Sequence, residues 1–280
     1  MTVAPPRSAL RALRRSALGL AALLLTLADA ASAQRRGGFR GGFPLDGLRE
    51  AVPIEYNAPY DGRFTFVRIN YETLPGGYWY RGQPAWSHGY PVAERNLMKI
   101  IDALTSLRPH VNEVNTLALT DPAIFEYPIL YIIEPSWWNM SDAEGAALRA
   151  FIAKGGFVIV DDFKMPGAMG GRGWDQFADN MHRALPDAVF VDMKATDPIF
   201  HVFFDINDLS VVPQAYNAGQ PIFRGLYEDN DPTQRLEMIV NYNTDISQFW
   251  EWSDRGLRPI DQTNEAYKLG VNYLVYGFLH

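Results

Sequence analysis

The sequence predicts an α/β fold: a parallel sheet with helices on both faces, extended by a more irregular C-terminal portion. Two observations carry this. Between Tyr127 and Asp162 a short apolar run, a capped helix, a Gly-Gly stop and a second apolar run follow one another. A crossover of that length between two buried strands is a βαβ unit. Upstream, an amphipathic stretch from Val92 to Leu107 lies between two strand-like runs, repeating the same alternation.

Taken in order, Phe64 to Tyr71 alternates apolar and polar residues and reads as the first strand. Thr73 to Tyr90 is rich in Gly, Trp and Tyr and has no helical period, so it reads as a long binding loop. Leu97, Ile100, Ile101, Leu104 and Leu107 line one face of the following helix. Val114 to Leu119 is the next strand, and Asp121-Pro122 turns the chain. Ile129 to Ile133 is an apolar run with β-branched residues, the mark of a strand buried on both faces. Ser141 with Glu144 forms a capping box, and Leu148, Phe151 and Ile152 give that helix its apolar face. Gly155-Gly156 ends it, because glycine enters the left-handed region without steric cost. Phe157 to Val160 is the partner strand. Trp174 to Leu185 predicts a further helix and Ala188 to Val191 a strand. Ile199 to Ile206, Pro221 to Tyr227 and Leu236 to Asn243 read as strands, and Glu265 to Leu279 as a closing helix.

The N-terminus reads as a secretory signal peptide over residues 1–33. Arg7, Arg11, Arg14 and Arg15 precede an uncharged run from Ser16 to Ala28, and Ala31-Ser32-Ala33 makes a small-residue cleavage site. Arg14-Arg15 leaves twin-arginine export open, but the Phe expected after the following Ser is missing, which favours general secretion. Residues 34–50, beginning QRRGGFRGGF, read as a Gly/Arg-rich flexible leader, and residues 51–280 as one α/β domain. From Ala51 onward 17 Lys and Arg stand against 29 Asp and Glu, a balance of about −12. That charge argues against nucleic acid and anionic membrane surfaces as partners. No second long apolar segment follows, so the mature chain is expected to have no membrane span. There is no cysteine, which excludes a disulfide, a thiol nucleophile and a thiolate metal site.

In open α/β sheets ligands gather beyond the carboxyl ends of the strands, and Glu134, Asp161 and Asp162 fall there. Adjacent residues of a strand face opposite ways, so Asp161 and Asp162 address different surroundings unless the strand has ended. Their chemistry suits a metal ligand, a general base or an acceptor for a polar ligand. The competing expectation is that one caps a turn or helix while the other joins an ion pair. Glu134 can join them through parallel strand order. Trp137 and Trp138, with Trp79, Tyr80 and Trp86, offer rings for stacking or for a lid. Trp250 and Glu251 pair a ring with a carboxylate. The histidines His88, His110, His182, His201 and His280 are scattered, and His201 near Asp205 is the one singled out. None stands at metal-ligand spacing, so the expectation is no metal and no cofactor. Gly167 to Gly173 lacks the Gly-Lys-Ser/Thr ending of a phosphate loop and reads as a flap.

Several of these pieces together resemble the bacterial domain of unknown function 4159 family. They are Trp79-Tyr80 with Asn96-Leu97, Tyr127-Pro128, Gly155-Gly156-Phe157 through Asp161-Asp162, Pro198-Ile199-Phe200, Trp250-Glu251, and Leu269 to Asn272 with Tyr276. Asp197 stands where the family is expected to carry His. The segment from Ser141 to Val160 is also similar to class I glutamine amidotransferase-like proteins, including the trehalose-utilisation group. That resemblance implies a flavodoxin-like, three-layer sandwich. In catalytic members the strand after Gly-Gly leads to the nucleophilic Cys; here it leads to Asp161-Asp162. The signal-peptide pattern, the strand-end carboxylates and the resemblance together lead to the expectation of an exported, non-catalytic module that binds a polar small molecule, a glycan or an envelope protein. The alternative is a carboxylate-dependent hydrolase, with glycans as its candidate substrates, using Asp161, Asp162 and Glu134.

Overall fold

Seven strands form one sheet in the order β2-β1-β3-β4-β7-β6-β5. They are β1 (Phe66–Asn70), β2 (Val114–Ala118), β3 (Ile129–Ile133), β4 (Phe157–Asp161), β5 (Val191–Asp192), β6 (Ile222–Tyr227) and β7 (Leu236–Tyr242). The computed structural model describes residues 53–78, 82–163, 173–213 and 220–280. The expected signal peptide, the leader and the first two residues of the domain lie outside them. β1, β2, β3, β4 and β7 run parallel, while β5 and β6 form an antiparallel edge. Among the described residues, five α-helices accompany the sheet: α1 (Val92–Leu104), α2 (Asp142–Ala153), α3 (Trp174–Ala184), α4 (Ile246–Glu251) and α5 (Ile260–Leu279). No described helix is long and apolar enough to cross a membrane.

The period of two along the strands divides the interior into two cores. Ile129, Tyr131 and Ile133 of β3 pack with Phe157 and Ile159 of β4 against α1, α4 and α5. Leu130, Ile132, Val158 and Val160 face the other way, against α2 and α3. Every residue of β3 and of β4 is buried, as strands covered on both faces require.

The βαβ unit forms as expected: Ile129 pairs with Phe157 and Ile133 with Asp161 in parallel register. Both halves of the capping box are present at α2, with the Ser141 backbone N–H donating to Glu144 Oε2 at 2.7 Å. Gly155 takes φ 94° at its end. A Cβ on Gly156 would lie 2.2 Å from Phe151 Cε1, so this pair serves both the turn and a close approach. Asp121 accepts from the Ala123 N–H and opens a 3-10 turn over Pro122–Glu126, which replaces a helix in the β2 to β3 connection.

The structure corrects three expectations in the C-terminal third and adds one helix. Ile199 to Ile206 is not a strand; Pro198–His201 is a 3-10 turn followed by bends. Its backbone finds a partner other than a neighbouring strand. The Asn272 amide of α5 accepts from Phe204 N–H at 2.8 Å and donates to Phe204 O at 2.9 Å. Ala188 to Val191 shrinks to the two-residue β5, paired with Arg224 and Gly225. The closing helix begins at Ile260, just after Pro259, five residues earlier than its apolar period indicates. Trp250-Glu251 ends a short helix, α4, that periodicity did not mark.

Candidate functional site

β3, β4 and β7 are parallel neighbours, so the residues just past their carboxyl ends share one edge. Asp161 closes β4, with no exposed side-chain surface. Its carboxylate accepts from the Tyr131 hydroxyl at 2.8 Å and the Asn241 amide at 3.1 Å. It also accepts from the N–H groups of Ile246 (3.3 Å) and Ser247 (3.0 Å), at the start of α4. The Tyr273 hydroxyl donates to Asn241 Oδ1 at 2.9 Å and orients that amide. Asp161 thereby ties β4 to β7 and to α4. Burial, and then the nearby Asp245 carboxylate, raise its pKa to about 6.

Asp162 leaves the strand direction at φ 52°, and Glu134 does the same after β3 at φ 49°. Both adopt the left-handed region, which Asp enters more readily than most side chains and Glu does not. The turn at Glu134 is held from two sides. Its N–H donates to Asp161 O at 3.1 Å, and the Tyr71 hydroxyl donates to Ile133 O and Glu134 O at 2.8 and 2.7 Å. The turned side chains meet His88. Its Nδ1 lies 2.9 Å from Glu134 Oε1 and 3.3 Å from Asp162 Oδ2. An ionised carboxylate only accepts, so a proton on Nδ1 would serve both contacts.

His88 reaches this place because Arg68 holds its loop. Arg68 sits on β1 with no exposed surface, and its Nη1 donates to Trp86 O at 3.0 Å and His88 O at 2.5 Å. Glu94 of α1 forms an ion pair with the same guanidinium. Gly89 follows at φ 71°; a Cβ there would stand 3.5 Å from Glu251 Oε2, which places Glu251 beside the His88 loop.

β7 contributes the last member. Asp245 caps α4, accepting from the Gln248 N–H and the Ser247 hydroxyl, each at 2.9 Å. Burial, and next the charge of Asp162, push its pKa to about 7, while His88 works the other way. Among the described residues, His88, Glu134 and Asp162 each offer one metal-ligating atom, all within 4.8 Å of one another.

Other residues marked from the sequence fall elsewhere. Trp138 is fully buried in the core under α2 and α3, and Trp250 is 1% exposed in the opposite core, its Nε1–H donating to Ala266 O. Neither presents a ring to the strand-end face, since each fills space between helix and sheet. Trp137 is buried in the 3-10 turn after Glu134, against Gly76 and Gly77. Trp79 and Tyr80 lie outside the described residues, as does most of Gly167 to Gly173. His201 belongs to a 3-10 turn at the surface, with Nδ1 3.0 Å from Asp205 and Nε2 2.6 Å from Ala195 O, and takes no part in the cluster. The histidine that joins the carboxylates is His88. Asp245 also went unmarked, although Asp245 and Gln248 have capping-box spacing straight after a strand. For His88 the local signal was weaker: one histidine closing an aromatic loop.

The sequence profile described as Domain of unknown function (DUF4159) matches residues 65–278. The chain belongs to that family. The DUF4159 match includes the whole strand-end cluster, from His88 to Glu251, and both cores that hold it. Asp197, the departure noted in the sequence, precedes the Pro198 turn without a side-chain bond to it, and its Oδ2 accepts from Lys194 N–H at 2.9 Å. No curated protein matches this DUF4159 chain in sequence.

Proposed function

We propose that this DUF4159 protein is an exported, non-catalytic module of the flavodoxin-like, amidotransferase-like type that binds a polar ligand or an envelope protein at its strand-end face. The observation that carries the reading is the convergence of His88, Glu134, Asp162 and Asp245 beyond β3, β4 and β7, all at most 5% exposed. Four carboxylates, with Asp161 included, are gathered at the edge where such sheets place ligands. The five parallel strands follow the order 2-1-3-4-7, which supports the flavodoxin-like assignment. Absence of any cysteine leaves a thioester mechanism without its nucleophile.

The experiment is complementation of a deletion strain of the native host by the full chain carrying Asp162→Asn. Loss of function with normal folding supports the reading; full complementation overturns it. Export is tested separately by mass spectrometry, which should find the mature N-terminus at Gln34.

A hydrolase remains the second reading because Asp161 and Asp245 are raised to about 6 and about 7, within the range of general acids. Burial weighs against it, since a glycan needs an open cleft between its two carboxylates. Asp161 is in addition committed to four donors from the protein itself.

A further inference from the structure

The geometry points to a divalent cation site of the zinc class formed by His88 Nδ1, Glu134 Oε1 and Asp162 Oδ2. This deepens the strand-end reading above and rests on it. The donor distances fit one ion. For ligands about 2.1 Å from an ion, neighbouring donors stand roughly 3.0 Å apart in an octahedron and 3.4 Å in a tetrahedron. The His88 nitrogen stands 2.9 Å from one carboxylate oxygen and 3.3 Å from the other. Opposite donors of an octahedral ion span about 4.2 Å, so a triangle no wider than 4.8 Å closes onto one with about 0.6 Å of movement, against about 1.4 Å for a tetrahedral ion.

The His88 side chain is 6% exposed, Glu134 4% and Asp162 fully buried, so the three donors are shielded from bulk water. An imidazole with two carboxylates is a borderline donor set that suits Zn²⁺ or Mn²⁺, whereas Ca²⁺ and Mg²⁺ take oxygen ligands. Binding exchanges the Nδ1 proton for the cation, and the proton leaves to solvent. Outer contacts orient the donors: Arg68 fixes the His88 carbonyl and the Tyr71 hydroxyl fixes the Glu134 turn.

The test uses the untagged mature chain with ZnCl₂ as probe, read by calorimetry and by metal analysis after dialysis. The expected result is one Zn²⁺ per chain, at least tenfold weaker binding in Asp162→Asn and His88→Gln, and unchanged binding in His110→Ala and His201→Ala. The last two remove exposed imidazole–carboxylate pairs that could take zinc adventitiously. Where a buried variant fails to fold, zinc-edge X-ray absorption of the wild type decides: one imidazole with oxygen donors is expected. No stoichiometric zinc, equal binding in Asp162→Asn, loss in a surface variant, or displacement by millimolar Ca²⁺ overturns the proposal. The underlying reading fails separately. If zinc does not bind yet Asp162→Asn fails to complement, the ion falls and the strand-end site stands. If zinc binds and Asp162→Asn complements, the ion site stands without that function.

Discussion

Two buried ionic regions lie side by side in this protein, and they accommodate charge in opposite ways. Around Arg68 one cation meets one carboxylate, with both side chains at most 1% exposed. The guanidinium also donates to two carbonyls and lies 5.5 Å from the Tyr131 ring and 6.0 Å from the Tyr90 ring. Burial raises Glu94, and Arg68 opposes that rise. At the strand ends, four carboxylates (Glu134, Asp161, Asp162 and Asp245) gather near one imidazole, and Asp245 rises to about 7. The first arrangement matches its charges and serves the scaffold. Among the described residues, the second brings like charges together, an arrangement that active and binding sites favour more than stability does. They meet at the His88 carbonyl, so the matched pair positions the crowded site.

The comparison predicts a descending series of effects. Arg68→Met leaves Glu94 buried without its cation and is expected to cost about 3–5 kcal/mol in urea denaturation; a cost below about 1 kcal/mol would show that the pair is dispensable. Asp161→Asn turns an amide toward four donors, so it is expected to lose about 1–3 kcal/mol.

A smaller effect follows from pH. Asp161 and Asp245 titrate at about 6 and about 7 in the folded chain, above the unfolded value of about 3.9. The native state therefore holds protons that the unfolded chain has released between those limits. Their contribution is present at pH 4 and is lost as pH rises toward 7. Across that window, wild type is expected to lose more than about 1 kcal/mol relative to Asp245→Asn. Parallel stability curves for the two proteins would remove this account of the cluster.

The smallest stability effect is expected for Asp162→Asn, within about 1 kcal/mol of wild type. Asparagine tolerates φ 52° as well as aspartate does, and it removes a charge facing Asp245. Thermal melting checks this. A large loss would place Asp162 with Asp161 as a scaffold residue and erase the contrast between the two regions.

The amino-acid sequence by itself determined β3, α2 and β4, because the signals there are local. The apolar runs, the Ser141–Glu144 box and the Gly155-Gly156 stop all act within a few residues. It also marked Glu134, Asp161 and Asp162 by strand-end position. It did not separate the two aspartates, since their different partners come from β7 and from the loop before α1. Nor did it exclude a strand at Ile199 to Ile206, whose backbone is claimed by Asn272, 68 residues beyond Phe204. Only the tertiary structure decided that His88 joins Glu134 and Asp162, across separations of 46 and 74 residues. Helix caps and strand periods are written in neighbouring residues. A cluster at the ends of parallel strands depends on strand order, set by how both faces of the sheet are buried.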